Sequence, residues 1–168
     1  MFDKKRLAFE ALVKSYSAQL YRYGYWLSGD RFVAEDLVQE TFARAWSGWG
    51  ALREADAAKS WLYTILRNEH ARLFQRKRLD TSDEQDLDAL EDERLGDICA
   101  ELEMRQALHG LPLAYREPLL LQAVGGFDCE EIASLMNLSV GAVMTRLSRA
   151  RSVLRKDVRG PQKRKASN

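Results

Sequence analysis

The sequence is poor in most of the features that mark a familiar class of protein. Its two cysteines, Cys99 and Cys129, are too few for a disulfide framework or a cysteine-rich zinc site. Three prolines and ten glycines are too few for an all-β fold crowded with tight turns. No stretch alternates apolar and polar residues with the period of two that a half-buried strand shows. No apolar run approaches the roughly 20 residues that cross a bilayer, so no membrane insertion is expected. Residues 1–7 lack the apolar core of a secretory signal, and the expected location is the cytoplasm. His70 and His109 fall on separate elements and form no ligand pair. No nucleophile, glycine loop or metal-ligand spacing accompanies the carboxylates. No catalytic residue, metal or cofactor is therefore expected, and the chain does not read as an enzyme. Net charge is scarce too: 26 basic against 25 acidic residues leave +1.

That small total conceals a segregation. Residues 80–97 hold nine acidic side chains and one basic one, Arg94. Residues 140–168 hold nine basic side chains and one acidic one, Asp157. Residues 67–78 hold Arg67, Arg72, Arg76, Lys77 and Arg78 against the single acid Glu69, so two basic zones flank an acidic middle. Such asymmetry says more about partners than the sum does. The acidic stretch has no aromatic residue and few aliphatic ones, so it cannot bury enough surface to offset the entropy of ordering. It reads as a flexible acidic linker over residues 79–97, either a solvated tether or a segment that competes for basic surface. It would separate an N-terminal domain (1–78) from a C-terminal domain (98–158). A basic tail (159–168), expected to be disordered, would add nonspecific attraction to phosphates.

Both domains show helical spacing. Phe9, Leu12, Val13, Tyr16, Leu20, Tyr23 and Leu27 recur every three or four residues. Ser28-Gly29-Asp30 interrupts them, with Asp30 placed to cap the next helix. Val33, Leu37, Val38, Phe42, Ala45 and Trp46 form a second inward stripe, ended by Gly48-Trp49-Gly50. A third helix is expected over residues 58–75, with Trp61, Leu62, Ile65, Leu66, Leu73 and Phe74 inward. Residues 98–108 and 113–124 read as two more. Pro118 is awkward inside a helix and is expected where its regular part begins. The fold class is all-α: two small helical domains joined by an acidic flexible linker.

The clearest pattern lies in the C-terminal domain. Asp128-Cys129-Glu130-Glu131 is a capping box that starts a short helix through Met136. Asn137 sits at a sharp turn and tolerates the left-handed conformation. Ser139 then caps a helix from Val140 to about Lys156. Val140, Val143, Leu147, Ala150 and Leu154 share one side of it. Gly141, Thr145, Ser148 and Ser152 share the other, flanked by Met144, Arg149 and Arg155. Two helices and a turn of three or four residues, with a small, polar, basic outer face, read as a helix-turn-helix suited to the major groove; the alternative is a helical hairpin with a solvated basic face.

Two weaker signals lie in the N-terminal domain. Residues 59–72 interleave Trp61 and Tyr63 with Lys59, Arg67, Asn68 and Arg72. Aromatic faces can stack on unpaired bases while cations hold the backbone, although Trp61 and Leu62 could equally be core. Asp36, Gln39 and Glu40 share an exposed side of the second helix, with Phe42 beside its buried stripe. That side is either a solvated face or a polar docking face for a partner helix.

Taken in order, four blocks resemble the extracytoplasmic-function (ECF) sigma factors of the sigma-70 superfamily. They are residues 36–46 (Asp36-Leu37-Val38-Gln39-Glu40-Thr41-Phe42 onward), residues 60–68 (Ser60-Trp61-Leu62-Tyr63 to Arg67-Asn68), residues 111–117 (Leu111-Pro112 to Tyr115-Arg116-Glu117), and the helix-turn-helix. The resemblance implies an alternative sigma factor that binds core RNA polymerase and directs promoter recognition and initiation. It implies that Asp36, Gln39, Glu40 and Phe42 dock on the polymerase. It implies that Lys59, Trp61, Arg67, Asn68 and Arg72 melt and read the minus-ten element. Gly141, Met144, Thr145, Ser148 and Arg149 would read the minus-thirty-five element. An anti-sigma partner is implied as well. Met144 departs from the family, which commonly carries Lys or Arg there, and Pro118 replaces a more usual aliphatic. The competing reading, a helix-turn-helix regulator that never docks on polymerase, would need a dimer interface or ligand pocket that the sequence does not show.

Overall fold

A computed structural model describes residues 2–52, 54–79 and 95–165, and every regular element among them is helical. In order these are α1 (Phe2–Ser28), α2 (Arg31–Ser47), two 3-10 turns (Trp49–Ala51 and Ala55–Ala57), α3 (Ala58–Leu79), α4 (Leu95–Gly110), α5 (Leu113–Ala123), α6 (Cys129–Met136) and α7 (Val140–Lys165). The chain separates into two compact units, Met1–Glu91 and Asp92–Asn168. Most of the expected acidic linker, residues 80–94, lies outside the described residues. Its two margins do not: Leu79 closes α3, and residues 95–97 open α4.

In the first unit α1 packs across α2 and α3. Leu20, Tyr23, Leu27, Leu37, Leu62, Tyr63 and Leu66 are fully buried between them. The Tyr23 and Tyr63 rings meet edge to face at 5.0 Å, and burial pushes the Tyr63 hydroxyl well above its usual pKa. The expected cap is in place: Asp30 accepts the backbone N–H groups of Phe32 and Val33 at 2.8 and 3.2 Å. At the other end Phe9 inserts among Phe42, Trp46 and Trp49, with centroids 6.2, 5.0 and 5.4 Å away. Trp46 and Phe74, expected inward, stand at the margin, 39% and 44% exposed. Trp46 lies on Phe9 and under the Lys5 ammonium at 4.7 Å; Phe74 lies against His70.

In the second unit α4, α5 and α6 gather around α7. Leu111, Leu121, Ile132, Val143, Leu147 and Ala150 form the centre. Pro118 departs from its expected place: Pro112 caps α5, and Pro118 lies inside it. A proline there cannot donate to the carbonyl four residues back, Ala114. The Arg146 guanidinium reaches that carbonyl from α7 at 3.4 Å. Two glycines then turn the chain into α6. A Cβ on Gly125 would stand 2.6 Å from the Leu121 carbonyl oxygen and 2.7 Å from the Phe127 ring, and Gly126 has φ 70°. The tail expectation also changes, because α7 runs to Lys165 rather than ending near Lys156.

Candidate nucleic-acid interface

The helix-turn-helix is fixed by backbone chemistry at each joint. Asp128 accepts the Glu131 N–H at 2.8 Å, and the Glu131 carboxylate accepts the Asp128 N–H at 3.1 Å, completing the capping box. At the far end of α6, Asn137 adopts φ 54°, ψ 51°. The Leu138 N–H then reaches back to the Ala133 carbonyl at 2.9 Å, and that of Asn137 to Ser134 at 3.4 Å. This is a Schellman closure with asparagine in the left-handed position. Ser139 accepts the Ala142 N–H at 3.1 Å and starts α7. With both caps satisfied, local hydrogen bonds fix the direction in which α7 leaves the turn.

α7 is two-faced, as its sequence spacing requires. Val143, Leu147 and Ala150 are buried, whereas Gly141, Met144, Thr145, Ser148 and Arg149 are all exposed. Val140, expected on the inner side, is 39% exposed instead. A Cβ on Gly141 would meet nothing within 4 Å. Three arginines brace α7 against α5. Arg146 donates to Ala114, Arg149 to the Tyr115 hydroxyl at 3.4 Å, and Arg151 to the Gln122 side chain. Beneath them, buried Arg116 donates to the carbonyls of Leu108, His109 and Leu111 at 2.9, 3.2 and 2.9 Å. Leu108 and His109 belong to the last turn of α4, where carbonyls lack helical partners, and Leu111 follows it. Burial lowers the Arg116 pKa, and neighbouring Glu117 opposes that.

In the first unit the sequence-derived residues divide among three places. Asp36, Gln39 and Glu40 are exposed on α2 and line a groove of about 560 Å³ whose other side is α3. Arg72, expected to meet DNA, lines the same groove with Arg44, Glu69 and Arg76. Glu69, largely buried, accepts Arg44 at 2.6 Å and Arg72 at 3.5 Å; Arg44 also pairs with Glu40 at 3.1 Å. Phe42 is absent from the groove lining and packs on Phe9. Along α3, Trp61, Asn68 and Arg72 share one face by their spacing of seven and four residues, and Lys59 and Arg67 lie off it. Asn68 is exposed; Lys59, Trp61 and Arg67 are half-buried. The edge of the Trp61 ring closes on Gly48.

Sequence reasoning assigned nothing to Arg44, Glu69, Arg116 or Arg146. Signals existed for some of them. Glu40 and Arg44 stand four apart on one helix face. Glu69 is the lone acid in a basic run, and Pro118 marks a freed carbonyl on its own helix. Nothing local marks Arg116, whose acceptors lie five to eight residues away.

Residues 12–79 match sigma-70 region 2, and residues 101–154 match sigma-70, region 4. The chain is 35% identical over 131 residues to the ECF RNA polymerase sigma factor EcfG of Rhodopseudomonas palustris, covering 76% of this chain and 72% of that one. The chain belongs to the ECF RNA polymerase sigma-factor family. The ECF factor SigW of Bacillus subtilis is 28% identical, across 90% and 89% of the two chains. Among solved structures, the sigma factor RpoE from Bartonella quintana, crystallised with the anti-sigma factor NepR, superposes with a TM-score of 0.73. It shares 27% identity across 92% and 96% of the two chains. CnrH, in complex with the cytosolic domain of CnrY, shares the fold with a TM-score of 0.71 at 24% identity. This ECF sigma factor therefore binds core RNA polymerase and promoter DNA, and directs promoter recognition and transcription initiation. No described helix is long and apolar enough to cross a membrane.

Proposed function

We propose that the two units divide this task between them. The first unit docks on core polymerase through the exposed α2 face of Asp36, Gln39 and Glu40. It uses Asn68, with Trp61 and Arg72 on the same side of α3, to hold unstacked bases of the minus-ten element. Lys59 and Arg67, set off that face, serve the DNA backbone, and Phe42 supports the docking helix from behind. The second unit lays α7 in the major groove of the minus-thirty-five element. Gly141 and Thr145 allow close approach, Ser148 and Arg149 supply donors, and Met144 lies among them.

The observation that carries this reading is the outer face of α7. Five neighbouring exposed residues, none acidic, stand on a helix whose exit angle two satisfied caps determine. The protein works as a regulatory factor in the cytoplasm and performs no chemistry of its own. An anti-sigma protein, the kind of partner with which RpoE was crystallised, holds it inactive by covering the α2 and α7 faces. Gel filtration with purified core polymerase, followed by run-off transcription on genomic templates, tests the proposal. Co-elution and discrete initiated transcripts are expected. Co-elution without any transcript would refute the promoter assignment, and failure to co-elute would refute the docking assignment.

A further inference from the structure

The outer face of α7 is not uniformly polar. Val140 and Met144, one turn apart, are 39% and 58% exposed. Gly141 lies between them with open space around it. Helices of this kind contact base edges with their N-terminal residues, and Met144 is the fifth residue of α7. A thioether has no donor and only a weak acceptor, so Met144 can bind neither a phosphate nor a guanine edge. The apolar group that base pairs present in the major groove is the C5-methyl of thymine. Met144 has the flexible, polarisable side chain that moulds to such a group. The same face continues into Thr145, Ser148 and Arg149, all exposed. A protein partner seated on Met144 would have to desolvate these polar neighbours as well, whereas a DNA duplex offers them phosphates and base edges.

We infer that Met144 is a specificity residue that reads a thymine methyl in the minus-thirty-five duplex, with Val140 and Gly141 shaping the apolar notch around it. The inference rests on α7 being the duplex-reading helix. It assigns this chain a preference for thymine where a basic side chain would select guanine.

The test uses holoenzyme assembled from the full chain and core polymerase, with a promoter selected from a randomised upstream element. Each thymine of that element is replaced in turn by deoxyuridine, which removes only the methyl group. One position is expected to weaken binding about 4-fold, the worth of one buried methyl-sized group. Met144→Ala should bind the thymine promoter more weakly by a similar factor and ignore uridine at that position. Met144→Leu should retain the sensitivity. Two results overturn the inference: no uridine-sensitive position in the wild type, or the same sensitive positions in wild type and Met144→Ala. Equal weakening of Met144→Ala on thymine and uridine promoters also overturns it, and points to a protein or backbone contact. If Arg149→Ala still erases promoter preference in those cases, only the Met144 assignment falls. If Arg149→Ala leaves preference intact too, the reading of α7 itself falls.

Discussion

Arg116 and Arg149 are the same side chain put to different uses, and their surroundings explain why. Arg116 is 7% exposed and donates to the carbonyls of Leu108 and His109 in the last turn of α4 and of Leu111 just beyond it. Replacing it with methionine keeps the bulk but removes those bonds, although the Leu108 carbonyl keeps the Leu111 N–H. We expect Arg116→Met to destabilise the second unit by about 3 kcal/mol. Hydrogen exchange should then accelerate in α4–α7 and stay unchanged in α1–α3. Arg149 is exposed and makes a long bond to the Tyr115 hydroxyl. Arg149→Ala should cost about 1–3 kcal/mol on the preferred promoter if it grips a base. An equal loss on every sequence would restrict it to phosphate. Asp36 is exposed on the groove wall opposite Arg72 and Arg76. Asp36→Arg should weaken holoenzyme assembly at least about tenfold, or 1.4 kcal/mol, with an unchanged melting curve. Unaltered assembly would remove Asp36 from the docking face.

At the scale of elements, helices are joined by bonds that cross from one to the next. Glu69 ties α3 to α2 through Arg44, and Arg146, Arg149 and Arg151 tie α7 to α5. The proline inside α5 becomes intelligible only with its neighbour present, since the carbonyl it strands is the one Arg146 takes. The turn after α5 depends on backbone approach. Gly125→Ala would drive a Cβ to within 2.6 Å of a carbonyl oxygen and 2.7 Å of the Phe127 ring. Something must shift, and we expect a loss of about 2–3 kcal/mol with a lower melting temperature for the second unit. A Gly125→Ala chain as stable as wild type would mean that the turn relaxes freely.

For the whole molecule the decisive quantity is how charge is distributed rather than its sum. Each unit offers DNA only a few cations: the α3 run from Arg67 to Arg78 in one, the face of α7 in the other. Affinity that rests on few phosphate contacts is weak, and salt lowers it further. The isolated chain should therefore give no tight, promoter-specific gel shift at physiological salt, and specificity should appear once core polymerase raises the effective concentration of each unit at its element. A tight specific shift by the chain alone would contradict that division of labour.

The sequence by itself determined what depends on near neighbours. Helix stripes, the Asp30, Asp128 and Ser139 caps, the left-handed Asn137 and the two faces of α7 all follow from residues within a few positions of one another, where helix period and backbone satisfaction act. Tertiary structure decided what depends on residues far apart in the chain. It brought Arg72 into the groove with Asp36, gave Arg146 a carbonyl 32 residues away, buried Arg116 under α4, and left Trp46 and Phe74 half in water. Periodicity specifies which side of a helix is apolar. How much of that side is covered, and which polar groups find partners there, is settled by the helices that pack against it.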